Sequence, residues 1–324
     1  MHRFGVRRAA ARLPMVSVVA LWLVAVVSAG AFASAPGQVS SIAVGQFPVR
    51  ALFADGAVWV SNHHGDTVSR IDPATNTVVA TIPSPGGPSG FAFGAGSVWV
   101  YGGNTPGLTR IDPEGNKALA TIPLKQHVFD DPAFAAGGVW FVVEGGKLFK
   151  LAASTNRVSK RIRIDPVQAR GLAYGANRLW GADSNERLFS VDPVRGRVRR
   201  YRSGCCASWP FAFGSGSVWV AGANGRSVLR FEPSSGRLLA RIRVPVTGAL
   251  GIAYGDAALW AAGGGTNSHL TLVRIDPTRN RVVQQVDLGA ISLESGVVIT
   301  LAYGAGSIWA VDPLGNRVLR YTPV

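Results

Sequence analysis

Short apolar runs recur along the chain at intervals of about 40 residues, and each run is centred on a tryptophan. The seven tryptophans are Trp59, Trp99, Trp140, Trp180, Trp219, Trp260 and Trp309. An aromatic residue stands six positions before every one of them, and alanine stands seven positions before six of them. A pattern repeated at this spacing predicts a repeat architecture, in which each unit packs against its neighbours.

Each repeat divides into four short apolar segments that turn residues separate. The second segment is apolar at successive positions, as in Val58, Trp59 and Val60, so both faces of that strand must be buried. Pairs such as Asp72-Pro73 mark the turn after the third segment, because proline fixes φ and aspartate bonds back to the chain. Seven repeats of four strands, buried on both faces, predict an all-β fold, a seven-bladed β-propeller of four-stranded blades.

The last repeat is incomplete, and its missing strand lies at the other end of the chain. Only one further strand follows the segment of the last tryptophan. Ile42 lies 17 residues before Trp59, which is the spacing between a fourth strand and the next tryptophan elsewhere. We therefore expect residues 38–44 to complete the last blade, so that no sheet edge is exposed there. Residues 38–324 then form a single domain.

The N-terminus has the pattern of a secretory signal. Four arginines lie within the first twelve residues, and an uncharged apolar run follows over residues 13–27. Ala31 and Ala33 fit the small-residue cleavage site, so we interpret residues 1–33 as a signal peptide and 34–37 as a linker. An uncleaved signal anchor is the alternative, because the apolar stretch is just long enough to span a bilayer. Both interpretations place the rest outside the cytoplasm, secreted or associated with the cell envelope.

The chain is strongly basic, with a formal net charge of +15. Without the four N-terminal arginines it keeps 29 basic and 18 acidic residues, a net charge of +11. Such an excess favours contact with anionic lipids or polymers, and export argues against nucleic acid. An arginine run falls on the predicted outermost strand of the fourth blade, where charge either discourages edge pairing or binds an anionic polymer. The run comprises Arg195, Arg197, Arg199, Arg200 and Arg202. We expect a monomer that meets a membrane only through an N-terminal anchor.

The repeated sequence motifs resemble those of a known propeller family. The phrase Gly-Ser-Val-Trp-Val, and Val-Ser-Arg-Ile-Asp-Pro-Ala-Thr-Asn-Thr-Val-Val-Ala-Thr-Ile-Pro at 68–83, resemble the WD40/YVTN-type and streptogramin (virginiamycin B) lyase-like propellers. The resemblance implies the propeller fold over residues 38–324. The lyases open a cyclic depsipeptide antibiotic by metal-assisted elimination, and their repeats typically read Trp-Phe-Thr-Glu. Here the stretch after Trp59 ends in Asn62, so the chain is more similar to YVTN-type relatives, which mostly lack an established catalytic role.

Candidate chemistry gathers on one predicted face. Ligands of propellers usually bind at one end of the central channel, on the face formed by the loops between blades and between the second and third strands. We call this end the loop face. Every histidine beyond the signal falls there, and so do two insertions, near residues 263–269 and 290–298. Insertions on one face of a repeat protein often mark the binding face.

The predicted ligand-binding residues surround one sector of that face. His63, His64, His269 and Glu294 bound the sector, and His127 and Asp131 approach it from across the ring. Imidazole and carboxylate groups at the channel mouth would suit a divalent metal or acid–base chemistry. No pair has the spacing of a known metal motif, and polar residues collect in loops in any case. No metal ligand or catalytic residue is therefore assigned.

Cys205 and Cys206 are adjacent in the predicted loop that enters the fifth blade. Outside the cytoplasm the pair can be oxidised. Adjacent Cα atoms lie about 3.8 Å apart, below the usual disulfide range of about 4.4–6.8 Å, so a vicinal disulfide would be strained and reducible. A rigid loop staple, a redox pair and two unpaired thiols all remain open.

These features favour a non-enzymatic extracytoplasmic binding module that recognises a small molecule, peptide or polymer on the loop face. Two alternatives remain, a metal-assisted lyase of the streptogramin B lyase type and a protein-interaction scaffold. Convergent carboxylates and imidazoles at the channel mouth would favour the lyase. An apolar mouth without acids would leave the other two.

Overall fold

The computed structural model describes residues 37–324 except 165–168, 184, 186, 202–206, 266–268 and 292–298. Within this part, 28 strands form seven antiparallel sheets of four strands each. The sheets are blades 1 to 7, and the strands of a blade are called a, b, c and d from first to last in the sheet. No helix among the described residues is long and apolar enough to cross a membrane.

The strands are numbered along the chain. Blade 1 comprises β2 (Pro48–Ala54), β3 (Ala57–Asn62), β4 (Thr67–Asp72) and β5 (Thr77–Pro83). Blade 2 comprises β6 (Pro88–Gly94), β7 (Ser97–Gly102), β8 (Gly107–Asp112) and β9 (Lys117–Pro123). Blade 3 comprises β10 (Val128–Ala135), β11 (Gly138–Val143), β12 (Lys147–Ala152) and β13 (Arg157–Arg163). Blade 4 comprises β14 (Ala169–Gly175), β15 (Arg178–Asp183), β16 (Leu188–Val191) and β17 (Val198–Arg200). Blade 5 comprises β18 (Ala207–Gly214), β19 (Ser217–Gly222), β20 (Ser227–Phe231) and β21 (Leu238–Arg243). Blade 6 comprises β22 (Thr247–Gly255), β23 (Ala258–Gly264), β24 (His269–Asp276) and β25 (Arg281–Ala290). Blade 7 comprises β26 (Leu301–Gly304), β27 (Ser307–Asp312), β28 (Arg317–Thr322) and β1 (Gln38–Ala43).

Blade 7 closes the ring, because β1 supplies its strand d. The strand pairs antiparallel with β28, from Gln38 opposite Thr322 to Ala43 opposite Arg317. Ile42 is 5% exposed and packs in one cluster with Trp309. The predicted closure is confirmed, with a strand one residue shorter than expected. Strand a of every blade contacts strand a of both neighbouring blades, so the a strands surround the centre of the ring.

The repeated tryptophan fills the space between blades. All seven are fully buried, and each packs on the next blade, as Trp59 does on Val98 and Val100. The indole Nε1 of Trp59 donates to the carbonyl of Ala54 at 3.1 Å, and the other six repeat this bond at 3.0–3.3 Å. Burial of an aromatic side chain contributes about 1.5–3 kcal/mol, so this contact explains why the tryptophan recurs.

A second contact between blades explains the basic residue of strand c. The guanidinium of Arg110 lies over the ring of Trp99 at 4.8 Å, and its Nη1 donates to Asn156 Oδ1 in the next blade at 3.3 Å. The same contact joins Arg70 to Asn116, Arg230 to Asn280 and Arg320 to Asn76. These asparagines have positive φ, which asparagine adopts more readily than most residues. The last pair links blade 7 to blade 1.

The Nε of this arginine is bound by a serine at the start of strand b. Arg110 Nε donates to Ser97 Oγ at 2.9 Å, and blades 5 and 7 repeat the bond at 2.8 and 2.9 Å. In blade 4 the two residues are exchanged. Arg178 stands at the serine position there, and its Nε donates to Ser190 Oγ at 2.6 Å. The exchange preserves the hydrogen bond and shows that the two positions act as a pair.

Blades 1 and 6 keep the arginine but lack the serine. Ala57 and Ala258 stand at its position. Within the described part of the chain, the Nε atoms of Arg70 and Arg274 are buried without a hydrogen-bond partner. A buried donor without an acceptor costs about 1–3 kcal/mol, so blades 1 and 6 lose stability at a position where blades 2, 4, 5 and 7 form a hydrogen bond.

Candidate functional site

The central channel has a volume of about 430 Å³ and is lined by residues from strand a, or the residue just before it, of all seven blades. The position nine residues before each tryptophan forms one set of equivalents at its loop-face end. The set is Arg50, Gly90, Asp131, Gly171, Pro210, Gly251 and Thr300. Two of these seven residues are charged, with opposite signs, so this set of positions is neither uniformly apolar nor a convergent set of acids.

Arg50 and Asp131 form an ion pair at the channel mouth. Arg50 Nε lies 3.2 Å from both carboxylate oxygens of Asp131, and its Nη1 donates to the carbonyl of Val49 at 2.9 Å. Both side chains are 18% exposed. The two residues belong to blades 1 and 3, so the pair passes over blade 2 at Gly90. A Cβ at Gly90 would lie 2.5 Å from Asp131 Oδ1, so this glycine makes room for the ion pair.

The ion pair also forms one wall of a second cavity, between blades 1, 2 and 3. This side pocket has a volume of about 390 Å³, at the lower end of the range of about 300–1,000 Å³ typical of sites for small ligands. Its other polar lining comes from His63, Ser89 and Tyr101. Its apolar lining comes from Phe47, Val49 and Val128. A lining with both polar and apolar side chains can orient a small ligand.

The hydrogen bonds of Ser89 set the tautomer of His63. Ser89 Oγ donates its proton to the carbonyl of Gly87 at 3.0 Å. Its oxygen therefore accepts from His63 Nδ1, also at 3.0 Å. In the neutral imidazole this leaves a lone pair on Nε2. Within the described part of the chain His63 forms its side-chain hydrogen bond through Nδ1 alone, so Nε2 can accept a hydrogen bond from a ligand.

Tyr101 is also held by a hydrogen bond. Its hydroxyl donates to the carbonyl of Val128 at 2.8 Å, and the side chain is 5% exposed.

His64 lies next to the side pocket. It is exposed, stacks on Phe47 with ring centroids 4.3 Å apart and lies 5.4 Å from the ring of His63. The structure thus brings together three predicted residues, His63, His64 and Asp131. Asp131 reaches blade 1 directly, within strand a, and does not approach from across the ring.

His269 lies in blade 6 and does not line the side pocket. The sequence placed it in a loop, but it is the first residue of β24, opposite Ala290 in β25. The described ends of the two insertions therefore lie side by side. His269 Nδ1 is 2.7 Å from Asp287 Oδ2. This hydrogen bond, with a second one from the backbone N–H of Gly289, holds the pKa of Asp287 below its usual value. The described part of the chain shows no contact between His269 and the histidines of blade 1.

His127 is not among the residues that line the side pocket. His127 is exposed in the loop before β10. Glu294, Cys205 and Cys206 lie outside the described residues. The described residues hold no group of three or more His, Cys, Asp or Glu side chains positioned for a metal ion.

The arginine run of blade 4 only partly follows the prediction. Strand d covers Val198–Arg200, so Arg195 and Arg197 precede it in the turn. Arg195 forms an ion pair with Asp192 at 3.4 Å. Arg202 lies outside the described residues.

Sequence reasoning missed Arg50, Ser89 and Tyr101. Two of them leave a signal once the repeats are aligned on their tryptophans. Nine positions before the tryptophan, Arg50 and Asp131 stand among glycine, proline and threonine. Two positions after the tryptophan, Tyr101 is the one aromatic residue among serine, valine and alanine. Departures from the repeat at core positions thus point to the site.

No family model and no curated protein matches the chain. Among solved structures, the chain is similar to the β-propeller domain of Cps50 (Swd1) from Myceliophteria thermophila. The TM-score is 0.72 at 11% identity, and the match covers 89% of this chain and 100% of that chain. The specific YVTN-type or streptogramin lyase-like relationship is not confirmed. At this identity the likeness shows the fold alone.

Proposed function

We propose that the protein is an exported, non-enzymatic binding module that takes up a small polar molecule in the side pocket. The observation that carries this proposal is the convergence of Arg50, Asp131 and His63 on one pocket. The guanidinium of Arg50, the carboxylate of Asp131 and the imidazole of His63 are complementary to a ligand that has both hydrogen-bond donors and acceptors. Ser89 and Val128 orient His63 and Tyr101 in advance, which lowers the entropy cost of binding.

The same geometry makes binding a better proposal than a lyase. A general base must reach the proton that it removes, and Asp131 is the one acid in its set of equivalent positions. Its carboxylate is engaged by Arg50 through both oxygens. Catalysis by Asp131 would therefore first require the ion pair to break. Export remains a proposal that rests on the signal pattern of residues 1–33.

The test is a thermal-shift screen of the purified protein against amino acids, monosaccharides and nucleosides. A ligand present at 100 times its Kd stabilises by about 2.7 kcal/mol, which is a few degrees in Tm for a domain of this size. We expect a compound that raises Tm in the parent and in His127→Ala, but not in His63→Ala. His127 is the matched control because it is an exposed histidine on the same face.

Two results would count against the proposal. A shift that persists in both His63→Ala and Asp131→Asn would place the ligand outside the side pocket. A panel in which no compound shifts the parent would contradict a small polar ligand.

A further inference from the structure

A separate cavity lies on the flank of the propeller, between the outer parts of blades 2 and 3. Its volume is about 1170 Å³, and it shares no lining residue with the side pocket. We call it the outer groove. One wall is the end of β9 with the residues that follow it, 122–126. The other wall is formed by β11, β12 and β13 of blade 3.

The floor of the outer groove is apolar. Phe141 and Phe149 meet edge to face, with ring centroids 6.2 Å apart. Phe141 is fully buried and Phe149 is only partly buried, so part of its ring faces the groove. Ile122 and Leu124 complete the floor from blade 2. A partly exposed phenylalanine beside leucine and isoleucine is a surface that an apolar chain can cover.

The rim of the outer groove is cationic. Five exposed basic residues line it, and no described lining residue is acidic. The five are Lys125, Lys147, Arg157, Arg161 and Arg163. None of them forms an ion pair within the described part of the chain.

One of the cations, Arg161, lies directly above the floor. Arg161 stands opposite Phe149 in the sheet, and its guanidinium lies 5.2 Å from the centre of that ring. Lys147 and Arg163 are also opposite each other. Like charges in that position repel, and an anion between them would remove the repulsion. Gln126 adds a buried side-chain oxygen without a described partner.

We propose that the outer groove binds an anionic amphiphile, a single apolar chain that ends in a carboxylate or phosphate. The chain covers Phe149, Ile122 and Leu124, and the head group lies between Lys147, Arg161 and Arg163. Charge complementarity selects the head, since the rim offers five cations and no described acid. A hydrophilic anionic polymer would leave the apolar floor uncovered. This site is independent of the side pocket.

The experiment is calorimetric titration of the purified protein with decyl phosphate below its micelle concentration. We expect one molecule bound per chain, with decyl maltoside and inorganic phosphate binding at least tenfold more weakly. Lys147→Glu and Arg161→Gln should weaken decyl phosphate about five- to tenfold, because each removes a charge-assisted contact. Arg241→Gln is the matched control, since Arg241 is exposed at the equivalent place in blade 5, opposite Leu229.

Hydrogen exchange gives a readout that does not depend on variants. Decyl phosphate should slow exchange in residues 122–126 and 147–163. If inorganic phosphate binds as tightly as decyl phosphate, charge alone accounts for binding. If decyl maltoside binds as tightly as decyl phosphate, apolar contact alone accounts for it. Either result overturns the proposal. So does equal weakening by Arg161→Gln and Arg241→Gln, or binding to anionic vesicles without binding to the free amphiphile.

Discussion

The alanine at position 57 gives a test of how the blades are held together. Arg70 has the same role as Arg110, Arg230 and Arg320, but its Nε is buried without an acceptor in the described part of the chain. The variant Ala57→Ser places a hydroxyl where three other blades have one. The preceding a–b turn offers a carbonyl for the serine proton, as Ala95 does for Ser97. We therefore expect Ala57→Ser to stabilise the propeller.

The magnitude follows from the equivalent bonds. In blades 2, 5 and 7 the Nε-to-Oγ distance is 2.8–2.9 Å, which is a good charge-assisted geometry. A hydrogen bond to a charged group contributes about 1.5–3 kcal/mol. Arg70 is only partly buried, and the new hydroxyl is itself removed from water. A net gain of about 1 kcal/mol remains, which raises Tm by about 1–3 °C in a domain of this size.

Thermal and denaturant unfolding followed by circular dichroism measure the gain. The control is a double-mutant cycle with Arg70→Lys, because lysine has no Nε–H at that place. We expect a coupling of about 1 kcal/mol between positions 57 and 70. If Ala57→Ser stabilises the Arg70→Lys background equally, the hydrogen-bond explanation is wrong. Ser97→Ala should show the opposite sign and a similar size.

Deletion of residues 38–44 removes the strand that covers β28, so we expect a much lower Tm or aggregation, and unchanged melting would contradict ring closure. Type B streptogramins should remain intact, because none of the seven repeats has the glutamate that the lyase repeats carry three positions after the tryptophan, and only blades 4 and 7 have an aspartate there. Chelator-sensitive ring opening would refute this. His269→Ala should raise the pKa of Asp287, measured by NMR titration of the carboxyl group. Because the folded-state pKa of Asp287 is lowered, the His269–Asp287 pair stabilises the fold at pH values above the pKa of Asp287 in the unfolded chain. This stabilisation is lost as the pH falls through the lowered pKa of the folded state. An unchanged pKa of Asp287 in His269→Ala would refute the link.

The blades and their closure were predictable because they depend on sequence spacing. The 17-residue interval from Ile42 to Trp59 is enough to locate β1 in the last blade. The ion pair at the channel mouth was not predictable in this way. Strand register shifts between Pro48 and Arg50 in blade 1, and between Phe129 and Ala133 in blade 3. A bulge re-aims the side chains beside it, so simple alternation could not say that Arg50 and Asp131 face each other.

His269 was misplaced for a related physical reason. The extra residues of blade 6 were expected to enlarge its loops. Part of them instead lengthens the strands, since β24 has 8 residues and β25 has 10. Backbone pairing satisfies the polar groups of an insertion as well as water does. Length alone therefore could not separate a longer hairpin from a longer loop.

The pairing of β1 with β28 also sets the order of events as the chain is made. Gln38–Ala43 must remain without its partner until Arg317–Thr322 has been synthesised. At roughly 5–20 residues per second, that wait is on the order of a quarter of a minute to a minute. The waiting strand is well suited to it, because Ile42 is its one buried side chain and serines occupy its middle. A strand with so little apolar surface is a poor template for aggregation, so the last step of assembly can be slow without being hazardous.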